Sequence, residues 1–388
     1  MTAALIKAVR LLGSGAFLLA IAASASHAQI YDRGESGIPP RIIWGGYLDI
    51  GYLDSSTRPS NHGWRTKSTT SVLDRLRINN ASVALQRGPS LDSPWGYQVG
   101  LQAGIDIDGL VPAEEVAVGA AKPLSHLFAA SVSYWFRAGR GIGLTGGLLP
   151  GFPGYPSFLA GGNPSYTRPY QVDMVPYFLW GLRASYPASG PLVGSLYVVT
   201  GWNYLEWPND VLSTGLQLVW EAADGLQLTQ NIYYGPDQAA TDLEYWRFAS
   251  NTIAEWTGSR FLLAGSVHYM SEKQAAVAGN PGYQWAAGAL WLQWLPTANW
   301  RFAVRPEVLW DSDGLATGNR QTLTALALTA EYRLTPVRLN TLSARAELRL
   351  DRSTGEEGGF YMGPDNALVP DQRLFILAVM WRFRSDGQ

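Results

Sequence analysis

From Arg41 onward, apolar and polar positions alternate in segments rich in Tyr, Trp, Leu, Val and Thr, separated by clusters of Gly, Pro, Asn and Asp. A period of two broken by turn residues predicts β-strands, and helix-period patterns are nearly absent. The pattern predicts sixteen strands, at 41 to 53, 74 to 86, 95 to 107, 126 to 138, 141 to 150, 176 to 186, 191 to 202, 212 to 221, 225 to 235, 243 to 256, 260 to 270, 283 to 295, 299 to 310, 321 to 333, 337 to 351 and 373 to 383. At 299 to 310, Trp300, Phe302, Val304, Val308 and Trp310 share one face, while Arg301, Ala303, Arg305 and Glu307 share the other. At 337 to 351, Leu342, Ala344, Ala346, Leu348 and Leu350 stand opposite Ser343, Arg345, Glu347, Arg349 and Asp351. The last segment sets Phe375, Leu377, Val379, Trp381 and Phe383 against Ala378, Met380 and Arg382. At 74 to 86, Arg75, Arg77 and Asn79 share a face and the alternation fails beyond Asn80, as it would at a β-bulge.

The connections are sorted by parity. Those after odd-numbered strands are long, reaching 54 to 73, 108 to 125, 151 to 175 and 352 to 372, whereas those after even-numbered strands are tight turns such as PASG at 187 to 190, AADG at 222 to 225 and PTAN at 296 to 299. An antiparallel up-and-down meander with tight turns on one rim and long loops on the other is the pattern of an all-β transmembrane barrel, with the short turns periplasmic. A soluble β-sandwich has no reason to sort its loops this way. In this topology the apolar faces meet lipid and the charged faces line the lumen. Aromatic residues near strand ends, among them Trp44, Trp202, Trp256, Trp285, Trp310, Trp381, Tyr177 and Tyr186, are expected to form girdles at the two membrane interfaces.

The N-terminus fits an exported protein. Lys7 and Arg10 precede the apolar run LLGSGAFLLAIAA and the small-residue stretch SASHA ending at Ala28, the order of a secretory signal. The run is shorter than a membrane-spanning helix requires. Residues 1–28 are therefore read as a cleaved signal peptide, 29–40 as a short periplasmic segment and 41–388 as the barrel. The formal charge is −2, with 29 basic and 31 acidic residues, and losing Lys7 and Arg10 makes it more acidic, which argues against nucleic-acid binding. The chain has no cysteine, so disulfides and thiolate chemistry are excluded.

Several strings resemble the OmpL-like outer-membrane β-barrel porin family: NPSYTRPY at 163 to 170, GLRASYP at 181 to 187, YVVTGW at 197 to 202, NDVLSTGLQLVW at 209 to 220 and YYGPDQ at 233 to 238, in the expected order. The resemblance implies a bacterial outer-membrane location and a porin-like role. Thr200 stands where that family often has Asn, and Arg384 to Gln388 extend past Phe383, the aromatic residue through which the last strand is expected to engage the barrel assembly machinery.

Catalysis finds little support. Only His62, His126 and His268 remain after the signal, and Ser266 with His268 on one face lacks the third group that an activated nucleophile needs. No cluster has metal-ligand spacing, and no cofactor is expected. The residues on lumen-facing parity are Arg75, Arg77, Arg183, Arg247, Arg301, Arg305, Glu307, Glu331, Arg345, Glu347, Arg349 and Arg382, an arginine excess that predicts a mild anion preference unless the charges pair as a structural ladder. The connection 151 to 175 is expected to fold inward, because Phe152, Tyr155, Phe158 and Leu159 gain by packing on the wall, and to present Tyr166, Arg168, Tyr170 and Asp173 to the channel, with Arg168 nearest to passing solutes. The expected partners are outer-membrane lipid and small polar solutes, and a homo-oligomer is compatible with such a barrel. Sixteen strands leave room for an aqueous channel, which favours a diffusion pore over a structural or docking barrel with a blocked lumen.

Overall fold

The computed structural model describes residues 42 to 385 apart from 90–92, 108–124, 156, 203–208, 239–240 and 338–339. The predicted signal peptide and N-terminal segment lie outside the described residues. Sixteen strands form one closed antiparallel barrel: β1 (Ile42–Ser55), β2 (Leu76–Arg87), β3 (Trp95–Ala103), β4 (Leu127–Phe136), β5 (Ile142–Pro150), β6 (Phe178–Ser189), β7 (Leu192–Val199), β8 (Ser213–Ala223), β9 (Leu226–Pro236), β10 (Trp246–Thr257), β11 (Phe261–Lys273), β12 (Gly282–Trp294), β13 (Trp300–Asp311), β14 (Gln321–Arg333), β15 (Asn340–Thr354) and β18 (Asp371–Arg384). Each pairs with its neighbours in sequence, and β1 closes the ring on β18 with Ser55 opposite Leu374 and Gly45 opposite Arg384. Closure matters because an open edge in hydrocarbon would strand backbone N–H and C=O groups at several kcal/mol each. A separate hairpin, β16 (Phe360–Met362) and β17 (Ala367–Val369), stands in the last long connection and was not foreseen from the sequence.

The alternation sorts side chains as expected. Phe302, Val304, Val308 and Trp310 are exposed on the outer wall, while Ala303, Arg305, Glu307 and Leu309 are buried inside it. Tight turns collect at one rim; in that between β8 and β9, Gly225 takes a φ of +73°, a left-handed conformation that a Cβ would oppose. The irregularity in β2 is a bulge: Asp49 pairs with Asn80 and Ile50 with Ile78, leaving Asn79 as the extra residue. The bulge lets two consecutive side chains, Asn79 and Asn80, both point into the barrel. It also reaches the prediction for Arg75, which lies in a bend before β2 and is exposed rather than placed on the inner wall.

Two further expectations are corrected. Trp202 and Trp285, assigned to the interfacial girdles, are buried: Trp285 stacks on His268 at 4.7 Å and Trp202 meets Tyr233 edge-on at 4.9 Å. Trp44, Trp256, Trp310, Trp381 and Tyr186 are exposed, as a girdle position requires. Several strand ends also shift, β3 stopping at Ala103 rather than 107 because Gly104, at φ +121°, turns the chain away from the wall.

Candidate functional site: the lumen and its inward loop

The connection between β5 and β6 folds into the barrel, and its first half is held by aromatic contacts to widely separated strands. Phe152 stacks on Tyr197 of β7 at 4.3 Å, Tyr155 meets Trp291 of β12 edge-on at 4.8 Å, and Phe158 packs on Phe178 at 5.5 Å and Phe128 at 6.0 Å. These rings would expose large apolar area in an external loop, and burying it on the inner wall draws the segment inward. Backbone N–H groups add anchors, from Gly154 to Asn251 Oδ1 of β10 at 3.0 Å and from Gly161 to the Tyr47 hydroxyl of β1 at 2.9 Å.

The second half is gripped by charged side chains of β1, β13 and β15. Glu347 accepts from the N–H groups of Tyr166, at 2.6 Å, and Thr167, at 3.2 Å, from the Thr167 hydroxyl, and from Thr329 at 2.7 Å. The Tyr166 hydroxyl donates to Asp49 at 2.8 Å and accepts from Asn79 at 2.6 Å, the residue supplied by the bulge. Gly51 makes room for it, since a Cβ there would collide with that hydroxyl. Arg305 donates to Thr167, and Arg345 to the carbonyls of Ala160 at 3.0 Å and Asn163 at 2.7 Å. A one-turn helix, Tyr170–Asp173, begins where the Tyr170 N–H donates to Glu307 at 2.7 Å, and the Tyr170 hydroxyl donates to Asp351 at 2.8 Å.

A second loop, the connection after β1, closes over this arrangement. Lys67 is ion-paired with Asp173, which also accepts from Ser68 at 2.8 Å and Thr69 at 2.7 Å. Arg349 lies between two rings, 5.0 Å from the centroid of Trp64 and 4.8 Å from that of Tyr170, within cation–π range of both. Burial holds the Lys67 ammonium below its ordinary pKa against the upward pull of Asp173. Burial likewise raises the Asp106 carboxyl against the downward pull of Arg168.

The structure brings together most of the predicted residues. Tyr166, Arg168, Tyr170, Arg305, Glu307, Arg345, Glu347 and Arg349 converge on the inward loop, and Asp173 joins them as the anchor of the neighbouring loop. Arg168, expected nearest to passing solutes, is instead fully buried and ion-paired with Asp106 at 2.9 Å, as a guanidinium cut off from water must be. Arg247 sits apart, bridging Glu272 at 2.9 Å and Asp237 at 3.5 Å. Arg77 is half-buried opposite Gly51, and Arg183 is buried on β6. Arg301, Glu331 and Arg382 lie near the short-turn rim.

Sequence reasoning missed Lys67, Asp49 and Asp106. Asp49 shared inward parity with Tyr47, Gly51 and Leu53, and Asp106 shared that of Gln102 in the strand expected at 95 to 107, signals that were available; Lys67 lies outside the strands, where alternation gives no guidance. Their inclusion changes the charge balance. Around the loop, Lys67, Arg168, Arg305, Arg345 and Arg349 face Asp49, Asp106, Asp173, Glu307, Glu347 and Asp351, so the arginine excess of the wall is cancelled there.

Residues 41–383 match the family described as "Putative beta-barrel porin-2, OmpL-like". Among solved structures, the fold is similar to the outer membrane channel DcaP of Acinetobacter baumannii, at 12% identity and TM-score 0.54 over 90% of this chain and 99% of that one. It is also similar to an anion-selective porin from Comamonas acidovorans, at 8% identity and TM-score 0.54 over 89% and 100%, and to OmpT of Vibrio cholerae in a trimer form, at 9% and 0.53 over 89% and 99%. No curated protein matches the sequence.

Proposed function

The chain belongs to the OmpL-like β-barrel porin family, an outer-membrane family of channels rather than enzymes, and from that premise we propose that it is a diffusion pore for small polar solutes and ions, narrowed by its own inward loop. The observation that carries the reading is the segment from Gly151 to Val175, hydrogen-bonded from within the lumen to β1, β10, β13 and β15. Such a segment sets the size limit of a pore because it occupies the cross-section that sixteen strands would otherwise leave to water. A mild anion preference would then come from the lumen below the loop, because at the loop itself the charges balance. One observation favours a second reading, a barrel with a closed lumen: Ala160, Tyr166, Thr167, Arg168, Arg305 and Arg349 have no measurable exposure.

Planar-bilayer recording separates the two. A pore gives discrete conductance steps and a reversal potential of anionic sign in a salt gradient. Deleting Ser157 to Arg168 raises the step size and admits larger sugars, while the barrel remains heat-modifiable on gels. A folded wild type that never conducts, together with a deletion variant that does, establishes the closed reading instead.

A further inference from the structure

At the short-turn end of the lumen, four arginines share the inner face with one carboxylate, which contacts two of them. Arg301 on β13 stands opposite Glu331 on β14, which stands opposite Arg345 on β15, and Arg333 and Arg382 lie on the same inner parity closer to the mouth. Glu331 is already shared by two arginines: one oxygen takes Arg333 at 2.8 Å and the other takes Arg345, which also donates to the carbonyls of Ala160 and Asn163. Arg301 and Arg382 are left with no hydrogen bond or ion pair among the described residues. Arg333 and Arg382 act on Arg301, and Arg333 and Arg345 on Arg382, as like charges within electrostatic range, with Glu331 the nearby opposite charge. Neither is sealed in. Arg301 is partly exposed and Arg382 is exposed, whereas Glu331 and Arg345 are buried behind them.

We infer that Arg301 and Arg382 form a binding site for a small divalent oxyanion, of the phosphate class, at the periplasmic mouth of the lumen. The chemistry is that of the unfilled fork. A guanidinium presents parallel N–H donors matched to two oxygens of a tetrahedral or planar oxyanion, and here two forks from different strands remain open. Like charges held together by the wall are poorly compensated by one carboxylate already paired with two of them, and a divalent anion supplies the missing charge where chloride supplies half of it. The position selects a solute rather than a lipid headgroup, because both side chains lie on the inner parity, with Trp381, Phe383, Trp300 and Phe302 holding the outer one. This inference deepens the porin reading by naming a solute class and rests on it for its physiological meaning.

The full barrel, purified in detergent, is titrated with inorganic phosphate at low ionic strength, following the 31P line width. Saturable broadening is expected for the wild type, displaced by sulfate at lower concentrations than by chloride. Arg301→Gln with Arg382→Gln weakens it about tenfold or more, while the Lys pair retains part of it. If the double variant loses heat-modifiability, Arg382→Gln alone, at the exposed mouth, reports the same effect. No saturable binding by the wild type, or equal affinity in the Gln variants, overturns the inference. In planar bilayers, phosphate added on the periplasmic side lowers chloride current at smaller doses than phosphate added outside. A barrel that binds phosphate but carries no current refutes the porin reading and leaves the site standing; one that conducts but ignores phosphate does the reverse.

Discussion

Replacing Glu347 with alanine should release the inward loop while leaving the barrel wall intact. The Glu347 carboxylate accepts two backbone N–H groups and one hydroxyl of the loop, and a further hydroxyl from the wall. Removing it leaves the Tyr166 and Thr167 N–H groups without their acceptor in a site where both residues are fully buried. Hydrogen bonds to a charged group contribute roughly 1.5–3 kcal/mol each. Because the lumen can admit water once the loop shifts, the lower value for the two N–H groups is the appropriate one, which gives about 3 kcal/mol in favour of the undocked loop. At 1.4 kcal/mol per tenfold, the undocked population should rise on the order of a hundredfold. The chain contains no cysteine, so a single Ser165→Cys reports the event: Ser165 is buried in the loop, and its labelling by an impermeant maleimide tracks the population of the open form. Labelling should accelerate by about that factor in Glu347→Ala, with Glu347→Gln in between because its amide can still accept. Unchanged labelling and unchanged conductance would show that Arg305, Arg345 and the aromatic contacts hold the loop without Glu347.

Gly51→Val tests the same docking without touching a charge: its Cβ collides with the Tyr166 hydroxyl, so the Ser165→Cys reporter should again react faster, and an unaltered rate would mean that Tyr166 is not a required anchor. Cysteines placed at Ser60 or Asp365 should react with an impermeant reagent on intact cells and one at Asp224 should not; the opposite result would invert the orientation. Leu348→Arg puts a charge on the outer wall near the middle of β15, where such a substitution costs roughly 2–4 kcal/mol at the membrane midplane, so urea unfolding in lipid vesicles should shift by that amount. A neutral effect would mean that this face is not against lipid.

The wall of this protein was legible because its code is local. A period of two states which face each residue takes, and the parity of the connections states which rim each loop joins; neither needs a distant partner. Hence the sixteen strands and the apolar outer face of β13, β15 and β18 followed from the sequence, while the inward turn of the loop after β5 was an expectation drawn from its aromatic residues. The bulge in β2 showed itself only as a failure of alternation near Asn80, and its purpose, setting Asn79 against Tyr166, did not.

Parity gives the direction of a side chain and not the group it meets. Arg168, Arg305, Arg345 and Arg349 lie inside the barrel, yet their sequence suggested a surplus of positive charge that the folded lumen does not have around its loop. Glu347 meets Thr167 from 180 residues away and Arg168 meets Asp106 from 62, contacts fixed by barrel closure and by the path of two loops whose sequences carry no period. Only the tertiary structure decides which charges are cancelled within the barrel and which, as at Arg301 and Arg382, remain open at its mouth. A buried ion is tolerable only beside its counter-ion, and the location of that counter-ion is a property of the closed barrel, not of any one strand.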